Sequence, residues 1–595
     1  MKSLAALNKY FWHYKWHLLG GVLFVSASNY FRILQPQMIR QAMDLVYDNI
    51  SLYRLYDGFG LQPKVRHILA VTLFYFGGLV LLLALLMGIF MFLMRQTIVV
   101  MSRLIEYDLR KDIFRHYEAL DLAFYKRNNT GDLMARITED VGKVRMYLGP
   151  AILYGINLVS LFALTLYAMF SVSVELSAYS IMLLPILSIA IYYVSEKIEK
   201  NSTIIQQQLA QLNSITQESF SGIRVIKSYT QEPALTRFFG AESQIYREKS
   251  MVLARVDALF MPFMVLMIGA SVIITVYVGG LQVAHGTITP GNIAEFVVYV
   301  TMLTWPVTSL GWIASMVQQA AASQQRINEF WEQKPSILSQ KNDFSENNNH
   351  LDGEIIFENV TFQYPDTGIV ALKNVSFTLP KGQKLAIVGR TGSGKTSIAD
   401  LLVRLYDPSE GRILIDGKDL KTLDLSSLRR KIGYVTQDVF LFSDTVDANI
   451  RFGNPDANRA KVEQFAQYSA VYQDIMTLPE KFDTIVGERG VTLSGGQKQR
   501  ISIARALIKQ PDIVLLDDCL SAVDTNTEQQ IIGYLTQELG DKTTIVITHR
   551  IYGQLQFDQI IVLDDGEITA TGTHDELMQE EGYYADLFLS QNKEK

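Results

Sequence analysis

The sequence predicts an all-α transmembrane domain of six helices followed by a soluble α/β domain. Three observations carry that division. Of the 595 residues, 49% are hydrophobic and only 19% charged, and the mean hydropathy of +0.13 is high for a soluble chain of this length. Charge is sparse over about 70–100 and 150–195 and ordinary after 350. After 350 the long apolar runs give way to short β-type runs, helices and glycine-rich turns.

A helix needs about 20 apolar residues to cross a bilayer. Runs of that kind lie near 17–43, 69–99, 148–171, 174–195, 257–280 and 292–317. The first is interrupted by Asn29, Arg32 and Gln35, whereas the second contains the unbroken run Leu79–Met87. Excess Lys and Arg marks cytoplasmic loops. The segment between runs two and three holds Arg103, Arg110, Lys126 and Arg145, and that between runs four and five holds Lys197, Arg224, Lys227 and Arg247. The turns near 171–177 and 280–290 hold neither type. Both long loops and both termini are therefore expected in the cytoplasm. Apolar residues recur in those loops at helical spacing (Leu104, Ile105, Leu109, Ile113), so the spanning helices should continue beyond the membrane.

The polar stretch 336–351 reads as a linker, giving a transmembrane domain over 1–335 and a soluble domain over 352–595. A net charge of −6 gives no sign of nucleic-acid binding. The single cysteine, Cys519, excludes an intramolecular disulfide and fits a reducing compartment. Lys2, Lys9 and Lys15 are not followed by a short apolar core with a small-residue cleavage site, so no removable leader is expected.

The soluble half carries the chemistry. Gly389-Arg390-Thr391-Gly392-Ser393-Gly394-Lys395-Thr396 fits the phosphate-binding loop pattern, between an apolar strand (385–388) and a helical run that starts at Ser397. Glycines there let backbone N–H groups close around phosphate oxygens at a helix N-terminus. Lys395 can reach the β- and γ-phosphates, and Thr396 can ligate Mg²⁺. Ile513–Asp517 is a buried-strand pattern ending in an acid that can hold Mg²⁺ through water, and Asp518 follows it. Leu493-Ser494-Gly495-Gly496-Gln497 lies some twenty residues upstream.

With that pentapeptide the chain, from about 353 to 585, resembles the nucleotide-binding domain of ATP-binding cassette transporters, an α/β P-loop NTPase. The resemblance implies that Tyr364 stacks on adenine, Gln437 senses Mg²⁺, and His549 contacts the γ-phosphate. Gly487-Glu-Arg-Gly490 resembles a segment found in exporters, and Ser521-Ala-Val-Asp524 the family's D-loop. It places catalysis on Lys395, Gln437, Asp518 and His549, and Mg²⁺ on Thr396, Gln437 and Asp517. Ser494, Gly495, Gly496 and Gln497 would cap an ATP held by a second half-transporter, because two cassettes sandwich two ATPs. Spans fused before one cassette resemble the exporter arrangement, whose short coupling helices would fall near 122–133 and 218–227.

In the family, the residue after the strand-end aspartate is usually glutamate and polarises the attacking water. Asp518 is one methylene shorter, about 1–1.5 Å of reach, and misplacement by about 1 Å can cost on the order of 10²-fold in rate. Either the backbone adjusts and Asp518 serves, or the site binds ATP and hydrolyses it slowly. The resemblance favours the second reading, that of the slow-site subunit in heterodimeric bacterial multidrug exporters. Its implied setting is the inner membrane, with a lipid bilayer around it and a hydrophobic small molecule as substrate. Phe260, Phe263, Tyr299, Trp305 and Trp312 are candidate cavity walls, although for any single one a position facing lipid or a neighbouring helix is the more expected. Glu295, near the start of the last run, is either functional or hydrated at a span end. Flipping of a lipid or lipid-linked glycan is the alternative. A nucleotide-gated channel or regulator is a third reading, disfavoured because no long regulatory insert is present.

Overall fold

A computed structural model of the chain describes residues 2–55, 58, 62–338, 351–487, 493–520, 525–538, 540–550, 556–580 and 582–593. They form two compact units that interleave in sequence: Met1–Tyr117 with Gly131–Glu332, and Glu118–Thr130 with Gln333–Lys595.

The described residues of the first unit are helical apart from short connecting turns. Among the described residues, Gln62–Ala119, Thr130–Val172, Val174–Ser221, Glu232–Ala284 and Pro290–Trp331 are long and apolar enough to cross a membrane. Helices suit that role because they satisfy their own backbone hydrogen bonds where no water is present. The helix Lys15–Leu55 contains the first expected run and is long enough at 41 residues, but the polar residues noted above leave it less apolar. The helix Glu232–Ala284 has 53 residues, about 80 Å at 1.5 Å per residue. The hydrocarbon core is about 30 Å thick, so these helices do extend well past it. Short helices, Leu122–Arg127 and Ile223–Ser228, stand where coupling helices were expected.

Polar contacts clip the helix Lys15–Leu55 to the start of Pro290–Trp331. Asp44 accepts hydrogen bonds from the Gly291 N–H and the Thr289 hydroxyl, both at 2.8 Å. A Cβ at Gly291 would stand 2.6 Å from the Arg40 carbonyl oxygen, so the approach of the two backbones requires glycine. One turn further in, Arg40 pairs with Glu295 at 3.1 Å, and the Tyr299 hydroxyl donates to Glu295 at 2.9 Å. Of the two fates open to it, Glu295 is not hydrated but fully buried and paired, and Tyr299 is buried between helices, the alternative to a cavity wall. Trp305 and Trp312 remain half exposed, either side of the Tyr154 ring at 5.4 and 5.3 Å.

Among the described residues the second unit contains ten strands: β1 (Ile355–Gln363), β2 (Val370–Leu379), β3 (Lys384–Gly389), β4 (Glu410–Ile415), β5 (Lys418–Asp419), β6 (Ile432–Val435), β7 (Ile513–Asp517), β8 (Thr543–Thr548), β9 (Gln559–Asp564) and β10 (Glu567–Gly572). An antiparallel sheet has the order β2-β1-β4-β5, and a second sheet the order β10-β9-β3-β8-β7-β6. The second is parallel except for the β9–β10 pair. Every residue of β7 and β8 is buried, as expected of parallel strands covered on both faces. One core cluster joins the antiparallel sheet to the helix Lys395–Leu402 (Phe357, Phe377, Ile398, Leu402). Another fills a helical region around Phe465, Ile501 and Leu507.

The segment 118–130 packs with this unit. Asp121 caps the helix Leu122–Arg127 by accepting from the Phe124 N–H at 3.0 Å. Its other oxygen accepts from the Ser336 N–H at 2.9 Å and from the Ser336 hydroxyl. Ala123 enters the core beside the antiparallel sheet.

The buried Arg40–Glu295 pair generates a prediction. Arg40→Met strands a buried carboxylate and should destabilise the protein by about 3–5 kcal/mol. Adding Glu295→Gln should recover most of that loss. Thermal unfolding of the detergent-solubilised single and double variants measures both effects.

Candidate functional site

Three neighbouring parallel strands, β3, β8 and β7, end on the same edge of the sheet. Val388 pairs with Thr548 and Asp517 with Ile547. The phosphate-binding loop leaves β3, Asp517 ends β7, and His549 follows β8. Ligand sites of α/β sheets lie at such carboxyl edges.

The loop turns sharply. Gly392 and Gly394 have φ of 87° and 95°, values that side chains with a Cβ rarely adopt. A Cβ on Gly394 would also collide with the Ala371 carbonyl, and one on Gly389 with the Leu563 carbonyl. Gly394 then starts the helix Lys395–Leu402, whose first N–H groups face the loop. Lys395 Nζ bridges the loop from inside, donating to the carbonyls of Gly389 (2.8 Å) and Arg390 (2.6 Å). Burial holds its pKa below the ordinary lysine value, against the pull of Asp517 and Asp518.

A cavity of about 700 Å³ opens over this loop. The structure gathers there Tyr364, Gly389, Thr391, Gly392, Gly394, Lys395, Thr396, Ser397, Gln437, Asp517, Asp518 and His549. Ser393 is buried within the loop, and the Arg390 guanidinium lies 5.7 Å from the Tyr583 ring. Ser494, Gly495, Gly496 and Gln497 do not line this cavity. Ser494 instead caps the helix Gly495–Leu507: its hydroxyl accepts from the Gln497 N–H at 3.2 Å, and the Gln497 side chain accepts from the Ser494 N–H at 3.0 Å. Asp524 and residues 488–490 lie outside the described residues. The sequence reading missed Val370, Ala371, Asp565 and Tyr583, which also line the cavity. Val370 and Ala371 follow Tyr364 closely in sequence. Tyr583 is a lone aromatic far along the chain, and no local pattern marks it.

The donor set fits Mg²⁺. Asp517 is 1% exposed, and its Oδ2 has no hydrogen-bond partner among the described residues. A buried acceptor left so is costly unless a cation or water meets it. Burial, with Asp400 and Asp518 adding to it and Thr396 and Lys395 opposing, raises the Asp517 carboxyl to about 6. Below that value it is protonated, so cation binding there must displace a proton. Thr396 and Gln437, hard oxygen donors, share the same cavity.

Asp518 adopts a left-handed backbone, φ 44°. Aspartate tolerates that region better than most residues. Its N–H donates to the Ile547 carbonyl at 2.9 Å, and its Oδ1 lies 2.8 Å from His549 Nδ1. Cys519 beside it is buried, and burial raises its thiol to about 12, so it is not a nucleophile at neutral pH.

A cationic lysine that bonds phosphate oxygens directly contributes about 1.5–3 kcal/mol. Lys395→Ala should therefore raise the dissociation constant for MgATP by roughly tenfold to a hundredfold. Equilibrium nucleotide binding on the full-length protein measures it.

The chain matches known proteins over its full length. Residues 18–307 match the ABC transporter transmembrane region, and residues 372–521 the ABC transporter domain. It is 35% identical to a probable multidrug resistance ABC transporter ATP-binding/permease protein, YheI, of Bacillus subtilis, over 99% of this chain and 98% of that one. It is 34% identical to an ATP-dependent lipid A-core flippase of Photobacterium profundum, over 81% of this chain and 82% of that one. A solved structure of a bacterial Atm1-family ABC exporter with ATP bound superposes with a TM-score of 0.76 at 27% identity, covering 99% of both chains. The chain belongs to the ABC transporter family: it is a multi-pass membrane exporter subunit whose cassette binds ATP and couples its hydrolysis to transport.

Proposed function

We propose that this chain is one half of a heterodimeric exporter that moves hydrophobic or amphipathic, multidrug-type molecules across a bacterial inner membrane, and that its own ATP site hydrolyses slowly. Six spans within 1–335, the sixth supplied by Lys15–Leu55, would form the membrane domain. Residues 336–351 would link it to a cassette over 352–595. Both termini would face the cytoplasm.

The observation that carries the slow-site reading is the setting of Asp518. Its amide is tied to Ile547, and its backbone already stands in a constrained region. The strand end therefore has little freedom to advance the shorter side chain toward an attacking water. The carboxylate is also engaged by His549 at 2.8 Å. Retention of ATP asks less. Tyr364 would stack on the base, the loop from Gly389 to Ser397 would hold the phosphates, and Lys395 would exchange its carbonyl partners for phosphate oxygens. Mg²⁺, when bound by Thr396, Gln437 and Asp517, would neutralise phosphate charge.

Ser494, Gly495, Gly496 and Gln497 stand at the start of a well-capped helix and outside this chain's own cavity. Helix N-termini present N–H groups suited to phosphate. Here they would complete the site of a partner half-transporter carrying glutamate at the position of Asp518, with Asp524 nearby at the interface. The relative named as a lipid A-core flippase supports a second reading, in which the transported molecule is a lipid. ATPase stimulation by that lipid and not by drugs would distinguish it.

In a heterodimer whose partner carries glutamine in place of its own glutamate, Asp518→Glu should raise kcat for ATP hydrolysis by on the order of 10²-fold, with KM changed no more than about twofold. A variant no faster than wild type would sink the slow-site reading. Co-purification with a half-transporter that carries glutamate at the position of Asp518 should raise ATPase activity well above the sum of the separate chains. A vigorous ATPase from the single chain, with no gain on mixing, would instead indicate a homodimer.

A further inference from the structure

Lys126 lies on the helix Leu122–Arg127, in a segment that packs with the cassette although the chain on both sides of it belongs to the helical unit. Its ammonium stands 4.8 Å from the centroid of the Tyr364 ring and 5.3 Å from that of Tyr406. Both distances are within the range of cation–π attraction. The two tyrosine rings meet edge to face at 5.4 Å, and Phe362 meets Tyr364 the same way at 4.8 Å. The Tyr364 hydroxyl shares a 2.8 Å hydrogen bond with Ser397 Oγ, in the first turn of the helix after the phosphate-binding loop. Cassette residues thus hold the ring at its edges and its hydroxyl, and a cation from the inserted segment lies over its surface. Tyr364 lines the nucleotide cavity and Lys126 does not. Anchoring of the helix does not need the lysine, because Ala123 and Phe124 are buried and Asp121 supplies the cap.

We infer that Lys126 is a positioning residue for the nucleotide base: it holds Tyr364 in the attitude that receives adenine, so that recognition of the base depends on a helix carried by the membrane half of the chain. This rests on the reading of the cavity as the ATP site. A ring fixed before binding loses less freedom when the base arrives, and that saving appears as affinity. Its neighbours Tyr364, Tyr406 and Asp400 lie outside Gly389–Thr396, so the effect should fall mainly on the base. It also gives a route by which a displacement of Leu122–Arg127 would alter ATP affinity without touching Lys395, Asp517 or Asp518.

The test uses the full-length protein in lipid nanodiscs and two ligands with Mg²⁺: ATP, and inorganic tripolyphosphate, which has no base. Lys126→Ala should weaken ATP binding by roughly twofold to fivefold, the range for a solvent-exposed cation–π contact, and leave tripolyphosphate binding unchanged. Lys126→Arg keeps a cation over the ring and should restore ATP binding. In steady-state hydrolysis the alanine variant should raise KM for ATP with kcat unchanged. Equal weakening of both ligands, or no change in either, would overturn the inference. Tyr364→Ala is the control for the underlying site: it should remove most of the preference for ATP over tripolyphosphate. If that preference survives Tyr364→Ala, the base-stacking role of Tyr364 itself is wrong. If it falls with Tyr364→Ala but not with Lys126→Ala, the positioning role alone is wrong.

Discussion

Three parallel strands side by side determine where the phosphate-binding loop, His549 and the Asp517–Asp518 pair stand. β3, β8 and β7 are hydrogen-bonded neighbours in fixed register, and burial on both faces leaves them no alternative register without exposing Ile, Val and Leu to water. Their carboxyl ends therefore deliver the phosphate loop, His549 and the Asp517–Asp518 pair to one edge. The chain enters that edge at three points well separated in sequence, and it is the sheet alone that brings them together. The close approaches at Gly389 and Gly394, against the carbonyls of Leu563 and Ala371, follow from the same crowding. The glycines are required by neighbouring strands as much as by phosphate.

That constraint explains why so much of the site was legible in the sequence. A loop that must pass between a strand and a helix with two residues at positive φ can use few residue types, so Gly389–Thr396 stands out in a plain reading. An acid ending an apolar strand is common by itself, and Asp517 stands out only because the phosphate loop precedes it. Tyr583 and Asp565 reach the cavity through tertiary packing with no local pattern, and reading along the chain could not find them. The interleaving of 118–130 with the cassette was marked only by the family resemblance, through the coupling helix expected near 122–133, and not by the segment's own composition. Its composition resembles the helical loop around it, and its contacts with residues more than 200 positions away decide its place.

In the membrane half, hydropathy reports where apolar runs lie but not how polar residues within them are satisfied. Glu295 shows the difference. From sequence an acid near a span end has two fates, hydration or burial with a partner. Arg40, on a helix some 250 positions earlier, settles the matter, and Asp44 beside it caps the same helix start. Arg40 and Asp44 also account for part of the polarity that leaves Lys15–Leu55 less apolar than its neighbours. Residues that count against a span in a hydropathy reading are here the ones that join it to another helix.

The same distinction between reach and anchoring bears on Asp518. A shortened side chain matters only if its backbone cannot follow. Had the residue followed β7 in a relaxed loop, one methylene could have been recovered by a small rotation of the chain. Instead its N–H extends the strand's bonding to β8 through Ile547, and the next residue, Cys519, is buried in the helical-region core. Both flanks are held, one by a hydrogen bond and one by packing, so an adjustment of about 1 Å would have to break sheet contacts that also place Asp517. The placements of Asp517 and Asp518 are thus mechanically coupled at adjacent positions. A shorter side chain at 518 therefore leaves the position of Asp517 intact, and under the proposed function that is the combination a nucleotide-retaining site would need.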